Sequence, residues 1–319
     1  MTPAGATIPF GDPFVLAAAV ALDLVAGDPP NRLHPVAAMG WLVGRLRRLA
    51  PTAGPLRALA AGLGIIVAGV LLSAAVGVLV LVVRDHARWV GLAAEVVVLK
   101  MTFSVRGLAR AATDVRRALA GGDLPEARRR LAWHLVSRDT TNLDEPRVAA
   151  AAVESVAENT SDSVVAPWFY YLLGGLPAAL AYRFANTADA MLGYRDAERE
   201  WLGKVPARLD DVLNWVPARL TAALVVLVAP VVGGSAAGGV RVWRRDAGLT
   251  ASPNAGRPMA AAAGVLGLEL EKVGCYRLGA GGRPPAGRDV GRAVGLLYAV
   301  VCAALVVAVA AAGLPRWLG

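Results

Sequence analysis

Three carboxylates, Glu154, Glu158 and Asp162, follow one another at i, i+4 and i+8 in the stretch ESVAENTSDSVVAPWFYY, with Asn159 beside them. On a helix they share one narrow arc. No Lys or Arg occurs between Arg147 and Arg183 to neutralise them, and the chain turns apolar and aromatic directly afterwards. Stacked like charges repel on a helix, and acids near a membrane are costly. Hard oxygen ligands converging without a local counter-charge suit Mg²⁺, usually brought in with phosphate. The plainer alternatives are a solvated face, or an arginine reaching in from another segment. A titratable cluster beside a membrane cavity favours a site.

Four further stretches carry polar residues in places that ask for a reason. In DLVAGDPPNRLHPVAAMG (23–40) the prolines stiffen a turn that holds Asp28, Arg32 and His34, since each fixes its own φ and restricts the residue before it. In YRFANTADAMLGYRD (182–196) Tyr182, Asn186, Asp189 and Gly193 share a helical face, and Arg183, Tyr194 and Arg195 flank it. Arginines so placed can clamp phosphate. In ARLDDVLNWVPARL (207–220) Asp210 and Asp211 could cap the helix that follows, whereas Asn214 and Arg219 sit deeper in an apolar run. SPNAGRP (252–258), with Ser252 and Asn254, reads as a polar turn. There is no GxxxxGK[ST], HExxH or GxSxG pattern, His86 and His134 stand alone, and Cys275 and Cys302 make neither a disulfide framework nor a metal spacing.

The elements that must position these residues are those of a membrane protein. Of 319 residues 56% are hydrophobic and only 18% charged, against about a quarter charged in soluble chains. The runs 58–83, 220–240 and 293–315 are long enough to cross a bilayer, although Arg241 closes the second. The net charge of +9 comes from arginines that flank apolar runs, which reads as topology and contact with anionic headgroups. No basic stripe interleaved with aromatics calls for nucleic acid. The arginine-rich loop after 14–26 is expected in the cytoplasm, with 58–83 crossing outward and 89–103 returning. Residues 104–150 read as helical and soluble: Val105, Leu108, Ala112, Val115 and Leu119 make an amphipathic face, Gly121-Gly122-Asp123 ends it, and 124–136 folds back as a second arm. The acidic helix is expected from about Asp144 to Ser163. The uncharged run 163–182 is interrupted by Gly174-Gly175-Leu176-Pro177, which suits a discontinuous or re-entrant segment. The Gly/Pro-rich piece 279–287 reads as a surface loop. The expected fold is therefore all-α: a polytopic helical integral membrane protein, 1–319 forming one membrane domain with 104–162 as a largely cytoplasmic helical insertion.

Five pieces in this order, DLVAGDPPNRLHPVAAMG, SRDTTNLD (137–144), ESVAENTSDSVVAPWFYYLLGG, YRFANTADAMLGYR with ARLDDVLNWVPARL, and SPNAGRPMAAAAGVLGLEL (252–270), resemble the CobD/CbiB family, the adenosylcobinamide-phosphate synthases of cobalamin biosynthesis. The resemblance covers about 22–270; the stretch after Glu271 looks shortened. It implies a multi-pass inner-membrane protein that joins adenosylcobyric acid to (R)-1-aminopropan-2-ol phosphate, or a related amino alcohol, as an amide, with ATP and Mg²⁺. The corrinoid, the amino-alcohol phosphate, the bilayer and other late enzymes of the pathway are the expected partners. Residue chemistry then divides the roles. Glu154, Glu158, Asp162, Asn186 and Asp189 are the expected metal ligands. Arg138, Arg183 and Arg195 are expected on phosphate, with Asn159, Tyr194, Asp210, Asp211, Arg219, Ser252 and Asn254 lining substrate. Asp28, His34 and Glu158 are the expected acid–base groups. The rival readings are an intramembrane Mg²⁺-dependent prenyl- or phosphatidyl-type transferase, and a transporter or scaffold without chemistry.

Overall fold

The computed structural model describes residues 11–30, 32, 34–51, 54–194 and 199–313. In chain order the elements are α1 (Pro13–Ala26), α2 (Pro35–Leu49), α3 (Pro55–His86), α4 (Arg88–Lys100), α5 (Val105–Ala120), α6 (Leu124–His134), α7 (Glu145–Thr160), α8 (Ala166–Leu192), α9 (Lys204–Leu213), α10 (Trp215–Leu227), α11 (Ala236–Asp246), α12 (Gly256–Leu266), β1 (Leu270–Lys272), β2 (Tyr276–Leu278) and α13 (Gly287–Gly313). Local sequence explains many of the starts. Asp12, Asp123 and Asp144 accept backbone N–H groups of α1, α6 and α7, and each of these helices has a proline in its first two positions, where the missing N–H costs nothing. Among the described residues the fold is all-α apart from one short hairpin, as the sequence leads one to expect.

Among the described residues three helical runs are long and apolar enough to cross a membrane: Pro55–His86, Glu145–Leu192 and Gly287–Ala311. Leu56, Leu71 and Leu79 of α3 are all more than half exposed, an apolar surface that suits lipid rather than water.

The chain divides into two compact units. The first comprises residues 1–104, 166–213 and 308–319. Its α3 and α8 approach closely because α3 offers glycine where α8 is bulky. A Cβ at Gly69 would lie 1.8 Å from the Phe184 ring, and one at Gly77 would lie 2.6 Å from the backbone of Pro177. Small residues permit such approaches between apolar helices. The helix α8 is broken at the expected place: Gly174 is non-helical (φ −144°, ψ 23°) and Gly175 (φ 63°, ψ −162°) takes a conformation essentially reserved for glycine, with Pro177 just beyond.

The second unit comprises 105–165 and 214–307. The α5–α6 hairpin forms as expected, its apolar face (Val105, Leu108, Ala112, Val115, Leu119) buried and its turn at Gly121-Gly122. From Val148 to Ala157 every residue of α7 is buried, as is every residue of α12 except Arg257; the runs of alanine let backbones pack closely. After Thr160 the helix widens into a π turn, Ser161–Val165. The hairpin β1–β2 was not expected. It pairs Leu270 with Leu278, Glu271 with Arg277 and Lys272 with Tyr276, closed by a three-residue loop whose Gly274 has φ +75°. The 279–287 piece is irregular as expected but anchored: Gly279 N–H donates to buried Asp246 at 2.6 Å, and Arg283 pairs with buried Asp289 at 2.7 Å.

Candidate functional site

In the second unit α7 presents Glu154 and Glu158 one turn apart, the chain after α6 brings Arg138, and the hairpin brings Lys272 and Tyr276. Together they line a cavity of about 250 Å³. Ser155 Oγ donates to the Leu135 carbonyl at 2.8 Å, which ties the Arg138 segment to α7. Arg138 Nη2 reaches Glu154 Oε2 at 3.4 Å. Glu154 is only 5% exposed, and its Oε1 has no hydrogen-bond partner among the described residues. A buried acceptor left without a donor costs about 1–3 kcal/mol, more when charged, which marks this oxygen as a candidate contact for a ligand. Cross-strand pairing puts Lys272 beside Tyr276, with the ammonium 5.9 Å from the ring centroid. Burial, then the charges of Glu154 and Glu158, push the Tyr276 hydroxyl above its ordinary range, so it stays a protonated donor.

Not every neighbour named from the sequence joins this cavity. Asp162 falls in the π turn and is not among its lining residues. The i+4 arithmetic that placed it over Glu158 assumes 3.6 residues per turn, and a π turn breaks that register. Asn159 is engaged along its own helix, donating to the Ser155 carbonyl at 3.0 Å and accepting from Ser163 at 3.0 Å.

The first unit holds two other groups. Around the stiff turn, Asp28 accepts from Lys100 and, at 2.6 Å, from Ser104, with His34 Nε2 3.7 Å away. Burial alone would raise Asp28, but the hydrogen bonds of His34, Lys100 and Ser104 outweigh it and hold the carboxyl well below its usual range. Lys100 also lies 3.4 Å from Asp23, both buried. His34 Nδ1 accepts the Val36 N–H at 3.2 Å and caps α2, which leaves Nε2 as the protonated nitrogen facing Asp28. On α8 and α9, Arg183 Nη1 donates to Asn186 Oδ1 at 3.4 Å and Asn186 Nδ2 donates to Asp210 at 3.2 Å, with Asp189 one turn further along α8. Asp210 and Asp211 lie in the last turns of α9 and do not cap α10, whose N-cap is Asn214. Acids near a helix C-terminus oppose the dipole, so another requirement keeps them there. Tyr194 and Asp211 line a cavity of about 270 Å³ with Glu200, Lys204 and Arg208. Arg195 lies outside the described residues.

In the second unit Arg219 Nη1 reaches Asn254 Oδ1 at 3.4 Å and stacks its guanidinium 4.1 Å from the Trp215 ring centroid. Ser252 Oγ accepts the N–H groups of Asn254 and Ala255 at 3.2 and 3.4 Å, the turn expected of SPNAGRP.

Among the described residues no three His, Cys, Asp or Glu side chains gather closely enough to hold a metal by themselves. The residues that sequence reasoning did not place at a site are Lys100, Lys272 and Tyr276. Lys100 carried a signal, a cation at the end of an apolar helix. Lys272 and Tyr276 carried none, because their place depends on a three-residue strand pair.

The model of the family described as CobD/Cbib protein matches residues 16–301. A cobalamin biosynthesis protein CobD of Dehalococcoides mccartyi is 45% identical over 271 residues, covering 83% of this chain and 86% of its own. A probable cobalamin biosynthesis protein CobD of Methanothermobacter thermautotrophicus is 43% identical over 269 residues, with the same two shares. The cobalamin biosynthesis protein CbiB of Salmonella typhi is 37% identical over 302 residues, 91% of this chain and 94% of its own. No solved structure matches significantly. With a family model running through nearly all of its described length and relatives this similar along most of theirs, the chain belongs to the CobD/CbiB family.

Proposed function

We propose that this chain works in cobalamin biosynthesis as an inner-membrane, multi-pass amide ligase. It joins the free carboxylate of adenosylcobyric acid to the amine of (R)-1-aminopropan-2-yl phosphate, giving adenosylcobinamide phosphate. The carboxylate takes the γ-phosphoryl group of ATP, releasing ADP and forming an acyl phosphate. The amine then attacks the acyl carbon, one proton leaves the nitrogen, and phosphate departs with the former carboxylate oxygen. Such chemistry needs cations on phosphate, an acceptor for the amine proton and a place where both are held together.

The observation that carries this reading is the cavity that Glu154 and Glu158 line together with Arg138, Lys272 and Tyr276, where Glu154 Oε1 lacks a donor among the described residues. Glu158, the less buried of the two acids, takes the proton from the attacking amine, and the cations and the tyrosine hold phosphate oxygens. Of the five expected metal ligands, Asn186 and Asp189 keep that role, with Asp210 added: hard oxygens beside Arg183 fit Mg²⁺ arriving on phosphate better than they fit a bare-ion cage. When bound, Mg²⁺ supplies charge neutralisation for the transferred phosphoryl group. Asp28, already engaged with Lys100 and Ser104, and His34, which caps α2, set the geometry of their turn and do not act on the amine.

The test uses the whole protein in nanodiscs with adenosylcobyric acid, (R)-1-aminopropan-2-yl phosphate, ATP and Mg²⁺, followed by mass spectrometry. Adenosylcobinamide phosphate and ADP formed one for one, and only when all four are present, support the ligase. Intact substrates after prolonged incubation, or an isoprenoid product from a prenyl diphosphate without ATP, overturn it.

A further inference from the structure

Arg219, Ser252 and Asn254 take no part in the proposed reaction, yet in the second unit they build a definite arrangement where α10 meets the turn before α12. Arg219 Nη1 donates to the Trp215 carbonyl at 2.7 Å and reaches Asn254 Oδ1 at 3.4 Å. Both bonds leave from one nitrogen. The Nε and Nη2 hydrogens, the edge that grips a phosphate side-on, have no acceptor among the described residues. Buried Asn254 also accepts the Arg257 N–H on its carbonyl at 2.9 Å. That places a second guanidinium close enough for its charge to oppose that of Arg219. Arg257 itself makes one long bond, from Nε to the Pro253 carbonyl at 3.3 Å. Among the described residues neither arginine has a carboxylate partner, whereas Arg84, Arg245 and Arg283 each have one. Like charges held together repel, and an anion bridging the two removes that repulsion.

The neighbouring surface of α10 is apolar. Val216, Leu220, Ala223 and Leu227 are all exposed and recur at four-, three- and four-residue steps, one face of the helix. At about 1.5 Å per residue they cover about 17 Å, close to half of the roughly 30 Å hydrocarbon core and so to one leaflet. Trp215, 54% exposed, heads the stripe with its ring centroid 4.1 Å from the Arg219 guanidinium, and tryptophan favours the headgroup level. A soluble phosphate would engage the arginines and leave the stripe unused. A phospholipid engages both.

We propose that Arg219 and Arg257 form a site for an anionic phospholipid, its phosphate bridging the two guanidinium groups and an acyl chain lying on Val216, Leu220, Ala223 and Leu227. A zwitterionic lipid brings an ammonium back to two uncompensated cations; an anionic one does not. The site is independent of the reaction and gives SPNAGRP a function. Ser252, by accepting the N–H groups of Asn254 and Ala255, is a positioning residue that holds Asn254 against Arg219.

The experiment uses the full-length protein in phosphatidylcholine nanodiscs with a rising fraction of phosphatidylglycerol brominated near the top of its acyl chains. Brominated phosphatidylcholine is the comparison. Bromine quenches tryptophan on contact, and subtracting the signal of Trp215→Phe isolates Trp215 among the eight tryptophans. Half-quenching of Trp215 is expected at a fraction of brominated phosphatidylglycerol at least about tenfold lower than of brominated phosphatidylcholine. Arg219→Gln, and Arg257→Gln with only one long bond to lose, each raise that fraction by about tenfold. Removing two exposed charges elsewhere, with Arg241→Gln and Arg244→Gln together on α11, leaves it within about twofold, since general surface attraction is not what holds the lipid. Equal quenching by the two brominated lipids, or an equal loss in the α11 double variant, overturns the site. Inorganic phosphate is titrated calorimetrically into the same samples. Phosphate binding that is lost in both arginine variants, with no preference among the lipids, gives the site to a soluble phosphate and likewise overturns it.

Discussion

Arg138 Nη2 stands 3.4 Å from one oxygen of the Glu154 carboxylate, and among the described residues the other oxygen of that buried group meets no hydrogen-bond donor. A buried carboxylate is normally satisfied on both sides. Here that oxygen faces the cavity shared with the Tyr276 hydroxyl and Lys272, which separates this cluster from an ordinary structural ion pair and directs the first prediction to its neighbour.

Glu158→Gln keeps the shape of the residue and removes its capacity to take a proton. Turnover is expected to fall by about 10²–10⁴-fold, the usual contribution of a positioned acid–base group, with binding of the aminoalkyl phosphate changed far less. Steady-state kinetics beside equilibrium binding separates the two. A variant with wild-type kcat would remove Glu158 from the chemistry.

Gly175 holds φ 63° and ψ −162° at the break in α8. Gly175→Ala forces a Cβ into that region and is expected to destabilise the protein by about 1–3 kcal/mol. A lowered midpoint in thermal unfolding of the nanodisc-embedded protein would show it; an unchanged midpoint would mean that the segment relaxes to an ordinary helix.

Gly77 touches the backbone of Pro177, where a Cβ would come within 2.6 Å. Backbone cannot give way as a side chain can, so Gly77→Val is expected to cost about 1–3 kcal/mol by overpacking. Gly64, with nothing within 4 Å of its would-be Cβ, is the control: Gly64→Ala should be neutral or mildly stabilising by the same assay.

The Asp28 carboxyl is held below its ordinary range by His34, Lys100 and Ser104 against the opposing effect of burial. A depressed carboxylate contributes stability that is fully present above its unfolded value of about 3.9 and is lost as pH falls toward its folded value. The gap in unfolding midpoint between the wild type and Asp28→Asn is therefore expected to stay constant from about pH 7 to about pH 5 and to shrink below about pH 4. A gap that already closes well above about pH 5 would mean that a group other than Asp28 sets it.

Much of this fold is legible because its signals are local. Gly121-Gly122-Asp123 ends one helix and caps the next wherever it occurs, and the Gly174-Gly175-Leu176-Pro177 run breaks a helix by its own backbone chemistry. The long apolar runs need only composition and length. What was not legible depends on neighbours far away in sequence or on too few residues to show a period. Lys100 finds Asp23 and Asp28 more than seventy residues back. The hairpin has three residues per strand, below any alternation that could be counted. The π turn at Ser161–Val165 has no residue signature, so the three acids look like one stripe when only Glu154 and Glu158 line the cavity. Asp210 and Asp211, read as caps, end a helix instead because α9 runs on to Leu213.

The most direct test of the account follows an oxygen atom. Adenosylcobyric acid carrying ¹⁸O in its free carboxylate is incubated with the protein, (R)-1-aminopropan-2-yl phosphate, ATP and Mg²⁺, and the released phosphate is analysed for isotope content. One ¹⁸O is expected in the phosphate for each amide bond formed, because the carboxylate oxygen leaves on phosphorus. Amide formed with the label found in AMP, or no amide at all, would contradict it.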